Sequence, residues 1–325
     1  MLVPFEDDNS KSTENTGFQA GSDSPPMAML IGYVIRRAGI AQKKDFDIVN
    51  KLVFKIFLPV LLFENLYSTK TVDTFDINIV LFTVIGVLAT FALGFCFARV
   101  TLKENSKRAA MLQGFFRSNF AILGIPLINS VCGENVTGLT YLMVAVVVPL
   151  FNVLAVVCFE VFSTKQGTLS IKSLAKGVVT NPLIIGCVTG LIFFVFKIKL
   201  PYVAEKAVGD VAKIATPLAI VAMGGSFTFG SIKGCVKEVV ITVLARLVII
   251  PLVAVVSAVA LGFHGEALAC ILITFGGSIA ISSFAMAQQM GGDEDIAANV
   301  VVFSSLLCIV TLFCWIYVLS ALRLF

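Results

Sequence analysis

Lys55-Ile-Phe-Leu-Pro59 recurs 158 residues later as Lys213-Ile-Ala-Thr-Pro217, and both stretches lie inside long apolar segments. At the same offset, Gly32 matches Gly190. Self-similarity at a fixed spacing is the sequence signature of an internal repeat. The chain is therefore predicted to consist of two matched halves.

The composition indicates a membrane protein. Hydrophobic residues make up 58% of the 325 residues and charged residues 14%, and a soluble domain this apolar could not cover its surface. The apolar residues fall in blocks of about 20, the length that a helix needs to cross about 30 Å of hydrocarbon. We predict membrane-spanning helices at 48–66, 78–99, 109–132, 137–162, 174–197, 204–228, 238–262, 266–290 and 297–321, with a shorter helix at 27–35.

The first predicted helix is short. Met27 to Ile35 holds nine apolar residues before Arg36-Arg37, and as a helix it would cover only about 14 Å. We therefore expect a truncated first span. The preceding stretch is rich in Ser, Asp and Asn and lacks the basic and apolar regions of a signal peptide, so we expect it to be disordered.

The predicted organisation is a polar segment followed by two repeats. Each half holds five spans, and an odd number forces the second copy to enter the membrane with the opposite sense. Inverted repeats of this kind are typical of secondary transporters, whose binding site lies near the middle of the bilayer. The predicted boundaries are 1–26 for the disordered segment, 27–163 for the first repeat, 164–173 for a cytoplasmic loop and 174–325 for the second repeat.

The fourth span of each half is predicted to be a broken helix. In the first half, Pro126 removes a backbone donor and Gly124 lets the chain bend. In the second half, Gly276-Gly277 weakens the corresponding helix. Where two such breaks cross, exposed helix N-termini present free N–H groups and a positive dipole end, which hold an anion. Close packing or interhelical hydrogen bonding is the alternative role of the polar residues nearby. The predicted anion contacts are Ser118, Asn119, Gly124, Pro126, Ser278, Ser282 and Ser283.

Four charged residues are candidates for charge or proton coupling. Arg117 and Arg246 lie within apolar blocks, where a charge costs at least about 2.5 kcal/mol. Their alternative role is to reach the headgroups with extended side chains. Glu64 is the best placed carboxylate for proton coupling, followed by Asp210, and each could equally face water at the interface.

Other function classes find little support in the sequence. The eight cysteines form no CxxC pair and His264 is the only histidine, so no metal site, cofactor or Ser/His/Asp triad is expected. The net charge of +4 is small and its basic residues are spread over loops, which argues against nucleic-acid binding. No enzyme activity is predicted.

Arg117-Ser-Asn-Phe-Ala-Ile-Leu-Gly-Ile-Pro126 resembles the signature of the auxin efflux carrier family of permeases. Lys51-Leu-Val-Phe-Lys-Ile-Phe-Leu-Pro-Val-Leu-Leu-Phe63 agrees with it, and the resemblance runs from about Met27 to the end. It implies ten spans in two inverted five-helix repeats with crossed broken helices, a scaffold part, a transport part and a homodimer. The short central loop is similar to that of bacterial members, including malate permeases, and implies a multi-pass protein of the bacterial inner membrane. Ser278 stands where relatives usually have proline.

Together these features predict an all-α polytopic protein of the lipid bilayer, a secondary transporter that moves a small organic anion by alternating access. A transport-inactive receptor or regulatory subunit built on the same fold is the alternative, favoured by the short first span and the missing proline. An intramembrane enzyme finds little support, because the acid cluster Asp293–Asp295 falls in a turn.

Overall fold

The computed structural model describes residues 25–69, 76–132, 138–163, 171–228 and 230–325. These residues form helices joined by short loops, and in the described part the only β-type pairing is one isolated bridge. Five of the described helices are long and apolar enough to cross a membrane, judged by length and composition. The all-α polytopic fold is therefore confirmed. The predictions for residues 1–24 and for the loop at 164–170 lie outside the described residues.

The second half of the chain repeats the helix order of the first, with an interrupted helix pair before the last long helix of each. The first half contains α1 (Pro25–Arg37), α2 (Lys43–Leu52), α3 (Leu58–Tyr67), α4 (Ile77–Thr101), α5 (Asn105–Phe116), α6 (Phe120–Cys132) and α7 (Gly138–Ser163). The second half contains α8 (Ile171–Thr180), α9 (Pro182–Val195), α10 (Tyr202–Ser226), α11 (Val236–Leu244), α12 (Ile250–Ala260), α13 (Gly265–Gly276), α14 (Ser282–Met290) and α15 (Glu294–Ala321).

Two spans contain a widened helical turn just before a proline. Residues Val53–Phe57 join α2 to α3 ahead of Pro59, and residues Ala245–Ile249 join α11 to α12 ahead of Pro251. A proline ring clashes with the carbonyl group four residues back, and a widened turn relieves that clash. Each span therefore continues through its proline.

The span predicted over 174–197 is divided into α8 and α9. The Asn181 side chain accepts a hydrogen bond from the Leu183 N–H at 2.9 Å, and Pro182 occupies the first position of α9. An Asn cap followed by proline is a strong signal for a helix start. The local cap therefore outweighs the continuous apolar pattern.

The helices pack in two groups. One group comprises α1, α2, α3, α9 and α10, and the other comprises α4 to α7 and α11 to α15, while α8 contacts α7 of one group and α9 of the other. Within the first group, Gly32 lies against the carbonyl oxygen of Val221, and Gly190 lies against the carbonyl oxygen of Phe63. Both members of one contact are related to those of the other by the 158-residue offset of the sequence repeat. The two repeats therefore pack alike at the level of single residues.

Candidate functional site

The two interrupted helix pairs cross at their breaks. Residues 117–119 separate α5 from α6, and residues 277–281 separate α13 from α14. The two segments form an antiparallel β-bridge, and the Asn119 N–H donates to the Ser278 carbonyl oxygen at 2.8 Å. The crossing thus brings two helix C-termini to one side and two helix N-termini to the other.

The first break does not lie where the sequence predicted it. Helix α6 runs through Gly124 and Pro126, so the prediction of a break at these two residues is wrong. A proline removes one helical hydrogen bond, which membrane helices tolerate, whereas the backbone at 117–119 finds hydrogen-bond partners on the opposite segment. In the second half, α13 ends at Gly276 and the chain leaves the helix at Gly277.

Arg246 binds the C-terminal ends of α5 and α13. Its side chain is 0% exposed, so it does not reach the headgroups. The last carbonyl groups of a helix lack partners and carry partial negative charge, and one guanidinium satisfies both helix ends here. It donates to the carbonyl oxygens of Phe115 at 3.1 Å, Phe116 at 3.3 Å, Thr274 at 2.7 Å and Gly277 at 3.1 Å.

A small cavity lies at the N-terminal ends of α6 and α14. Its volume is about 60 Å³, and since one water needs about 10–15 Å³ by this measure, it has room for a few waters or one charged group of a ligand. The cavity lies between the two helix groups, because α3 and α10 line it together with α6, α7 and α14. Its polar lining residues include Asn65, Arg117, Ser118, Asn119, Asn152 and Ser282.

Ser118 and Asn119 face this cavity from the first break. Ser118 is buried, and its hydroxyl has no hydrogen-bond partner among the described residues. The Asn119 carbonyl oxygen starts α6 by accepting from the N–H groups of Ile122 and Leu123. A buried hydroxyl without a partner is costly. The Ser118 hydroxyl is therefore a candidate donor for a ligand in the cavity.

Arg117 lies at the cavity with neutral partners only. It is 3% exposed, and its guanidinium donates to Asn152 Oδ1 at 2.8 Å, to Ser282 Oγ at 2.8 Å and to the sulfur of Met286. Within the described residues, none of the ion pairs with carboxylates involves this arginine. A buried cation is stabilised by a paired anion, and no carboxylate of the described residues supplies one to Arg117.

Four of the predicted anion contacts do not line the cavity. Ser278 contributes its carbonyl oxygen to the crossing, and the Ser283 hydroxyl lies in a separate small space among α5, α14 and α15. Gly124 lies against the Phe120 ring, and Pro126 is exposed. Of the seven, the structure brings Ser118, Asn119 and Ser282 to the cavity, and none of the other four lines it.

The two carboxylates proposed for coupling lie away from the crossing. One Glu64 carboxylate oxygen is buried and has no partner in the described part of the chain, but the adjacent Asn65, not Glu64, lines the cavity. Asp210 pairs with Lys213 at 3.6 Å, and both side chains are exposed. Their role in coupling stays a prediction.

Sequence reasoning missed Asn65 and Asn152. Asn152 is 2% exposed and lies in the middle of the 26-residue apolar helix α7. A single amide in such a helix is unfavourable in lipid and usually faces the bundle interior. That signal could have identified Asn152 before the structure was known.

A polar network joins the two helix groups where α2 meets α14 and α15. Lys43 of α2 pairs with Glu294 of α15 at 2.7 Å. Gln288 of α14 donates to Asp47 at 2.8 Å and to Glu294 at 2.9 Å, and it accepts from Asn50. The hydrogen bond to Glu294 raises the pKa of Lys43, so this ion pair persists through neutral pH.

Comparison with known proteins identifies the family. A family model described as membrane transport protein matches residues 27–316. The chain belongs to this family. This match confirms the resemblance to auxin efflux carriers. Together with the five apolar helices long enough to span a bilayer, it shows a multi-pass membrane protein. It is also similar to a protein of Methanothermobacter thermautotrophicus described as an uncharacterized transporter, with 21% identity over 293 residues, 90% of this chain and 95% of the relative.

Proposed function

We propose that this membrane transporter is a secondary carrier that moves a small organic anion, a mono- or dicarboxylate, across a bacterial inner membrane. The observation that carries the proposal is the convergence of two helix N-termini, Arg117 and the unpartnered Ser118 hydroxyl on one cavity. Free N–H groups at helix N-termini bind carboxylates and phosphates, and guanidinium binds both strongly.

The chemistry of the lining selects an anion over a cation. Arg117 lines the cavity, whereas no Asp or Glu of the described part of the chain does. Asn65, Asn119 and the hydroxyl groups can complete the hydrogen bonds of a carboxylate through their donor atoms. A metal or organic cation would meet a buried guanidinium without a carboxylate to offset it.

Alternating access is supported by the position of the cavity between the two helix groups. A carrier exposes one site to each side in turn when one bundle moves against the other. At one end of the bundle, the Lys43–Glu294 pair connects the groups. Separation of the groups there would open a route to the cavity from that side.

Uptake into proteoliposomes tests the proposal. Radiolabelled dicarboxylates are supplied with and without a pH gradient to the purified protein, to Asn119→Ala and to the control Asn105→Ala at the exposed start of α5. We expect saturable uptake by the wild-type protein and by the control, with a loss of about tenfold or more in Asn119→Ala, which a lost interaction of about 1.4 kcal/mol would produce. Flux no greater than in protein-free liposomes contradicts the proposal.

A receptor or regulatory subunit on the same fold is a second candidate. The described part of α1 has 13 residues and so extends about 20 Å, less than the thickness of the hydrocarbon layer. It packs on the Val221–Gly225 part of α10. Saturable ligand binding without flux in the same preparation would select this candidate.

A further inference from the structure

We infer that Asn152 determines the charge selectivity of the cavity, because it holds Arg117 with a neutral amide and so leaves the transported anion to act as the charge partner of Arg117. The inference rests on the proposed function and names a residue that sets its specificity.

The orientation of the Asn152 amide follows from its two hydrogen bonds. Its Nδ2 donates to the Val148 carbonyl oxygen at 2.8 Å, and its Oδ1 accepts from Arg117 at 2.8 Å. An amide can donate to a carbonyl and accept from a guanidinium at the same time, whereas a carboxylate can only accept. Asn152 therefore positions the guanidinium at the cavity without neutralising it.

The charges at the crossing are unequal on its two sides. Each helix N-terminus carries about +0.5 and each C-terminus about −0.5 of an elementary charge. Arg246 offsets the two C-termini. On the cavity side, Arg117 adds to the two N-termini, which leaves an excess of about +2. A ligand with two negative charges matches this excess better than a ligand with one.

Asp at position 152 would replace the amide with a negative charge and would also remove the donor to the Val148 carbonyl oxygen. Its carboxylate has nearly the shape of the amide and would pair with Arg117 at the same distance. The cavity would lose about one unit of positive charge, and an arriving anion would compete with a fixed carboxylate for the guanidinium. Asn105 offers a matched control, since its Oδ1 accepts from Arg108 at 2.8 Å at the exposed start of α5.

Thermal unfolding of the purified full-length protein in detergent provides the test. Wild type, Asn152→Asp and Asn105→Asp are titrated with succinate and with butyrate, which share a four-carbon chain and differ by one carboxylate. Without ligand, we expect Asn152→Asp to remain folded, because the pair that it gains with Arg117 offsets the lost hydrogen bond to Val148. With ligand, we expect its succinate affinity to fall about tenfold or more and its preference for succinate over butyrate to shrink, while Asn105→Asp behaves as wild type.

A folded Asn152→Asp protein with the wild-type preference for succinate over butyrate would overturn the inference. Ser282→Asp is the second variant, since Ser282 is the other oxygen acceptor of Arg117 and the first residue of α14, where an acid is favourable. It should shift the preference in the same direction, and an unchanged preference would also count against the inference. Absence of carboxylate binding and flux in wild type would refute the proposed function, whereas succinate binding by wild type with an unchanged preference in the variants would refute the inference alone.

Discussion

The backbone N–H of Asn119 donates to the carbonyl oxygen of Ser278 at 2.8 Å, which joins the two broken helices at their interruptions. These residues come from different repeats of the sequence. A helix break within a membrane leaves backbone groups without partners, and pairing one break with the other satisfies them. Each repeat therefore supplies hydrogen-bond partners to the backbone at the helix break of the other.

Replacement of Arg246 should weaken the crossing. Arg246→Met leaves the C-terminal carbonyl groups of α5 and α13 without their shared donor. Hydrogen bonds to a charged group contribute about 1.5–3 kcal/mol each, so a net loss on the order of 3 kcal/mol should lower the unfolding temperature by roughly 6–12 °C. Arg246→Lys should fall between, because one ammonium reaches fewer carbonyl groups. The exposed Arg99→Met is the control, and an equal shift in both Met variants would contradict the role of Arg246.

Removal of the Ser118 hydroxyl should affect transport but not stability. The hydroxyl makes no hydrogen bond within the described residues, so Ser118→Ala removes a buried polar group at no cost to the protein. We expect an unchanged or slightly raised unfolding temperature and a three- to tenfold rise in the substrate concentration for half-maximal uptake, about 0.7–1.4 kcal/mol.

Ser130→Ala serves as the control for this variant, since Ser130 donates to the Pro126 carbonyl oxygen on an exposed face of α6. Its uptake should match wild type. Wild-type uptake by Ser118→Ala would show that this hydroxyl does not contact the substrate.

Gly32 and Gly190, which the repeat relates, should not tolerate a larger side chain. A Cβ on Gly190 would lie 2.8 Å from the Phe63 carbonyl oxygen, and one on Gly32 would lie closer still to that of Val221. Overpacking costs about 1–3 kcal/mol, so Gly32→Ala and Gly190→Ala should each unfold several degrees below wild type. Gly234→Ala, with no atom within 4 Å of its added carbon, should not. Wild-type unfolding temperatures for both packed variants would refute the close approach.

The Lys43–Glu294 pair should hold the two helix groups together at one end. Lys43→Glu or Glu294→Lys places like charges at the two positions where the native Nζ and Oε1 atoms lie 2.7 Å apart. We therefore expect faster hydrogen exchange over residues 286–294 in each variant. The double variant restores opposite charges and should return the exchange rate close to wild type. Lys107→Glu, which breaks a pair with Glu104 within one helix group, is the control and should leave that segment unchanged. Independent effects of the two substitutions would contradict the pairing.

Much of the fold could be predicted because its signals are local or periodic. Hydropathy alone located the long spans, and α4 at Ile77–Thr101 agrees with the predicted 78–99. The widened turns before Pro59 and Pro251 could not be predicted in the same way. A proline shows that the helix is disturbed, but it does not show whether the helix bends, widens or ends.

The sequence by itself determined the membrane class, the two matched halves and the family, since composition, apolar block length and repeat offset depend on residues close together or at a constant spacing. Only the tertiary structure decided that the first helix breaks at 117–119, that Arg246 binds helix C-termini while Arg117 faces the cavity, and that Asn152 holds Arg117. These features depend on which backbone and side-chain groups find hydrogen-bond partners on segments more than 30 residues away. Hydrogen-bond satisfaction in a medium without water is a property of the whole assembly, so no local pattern specifies it.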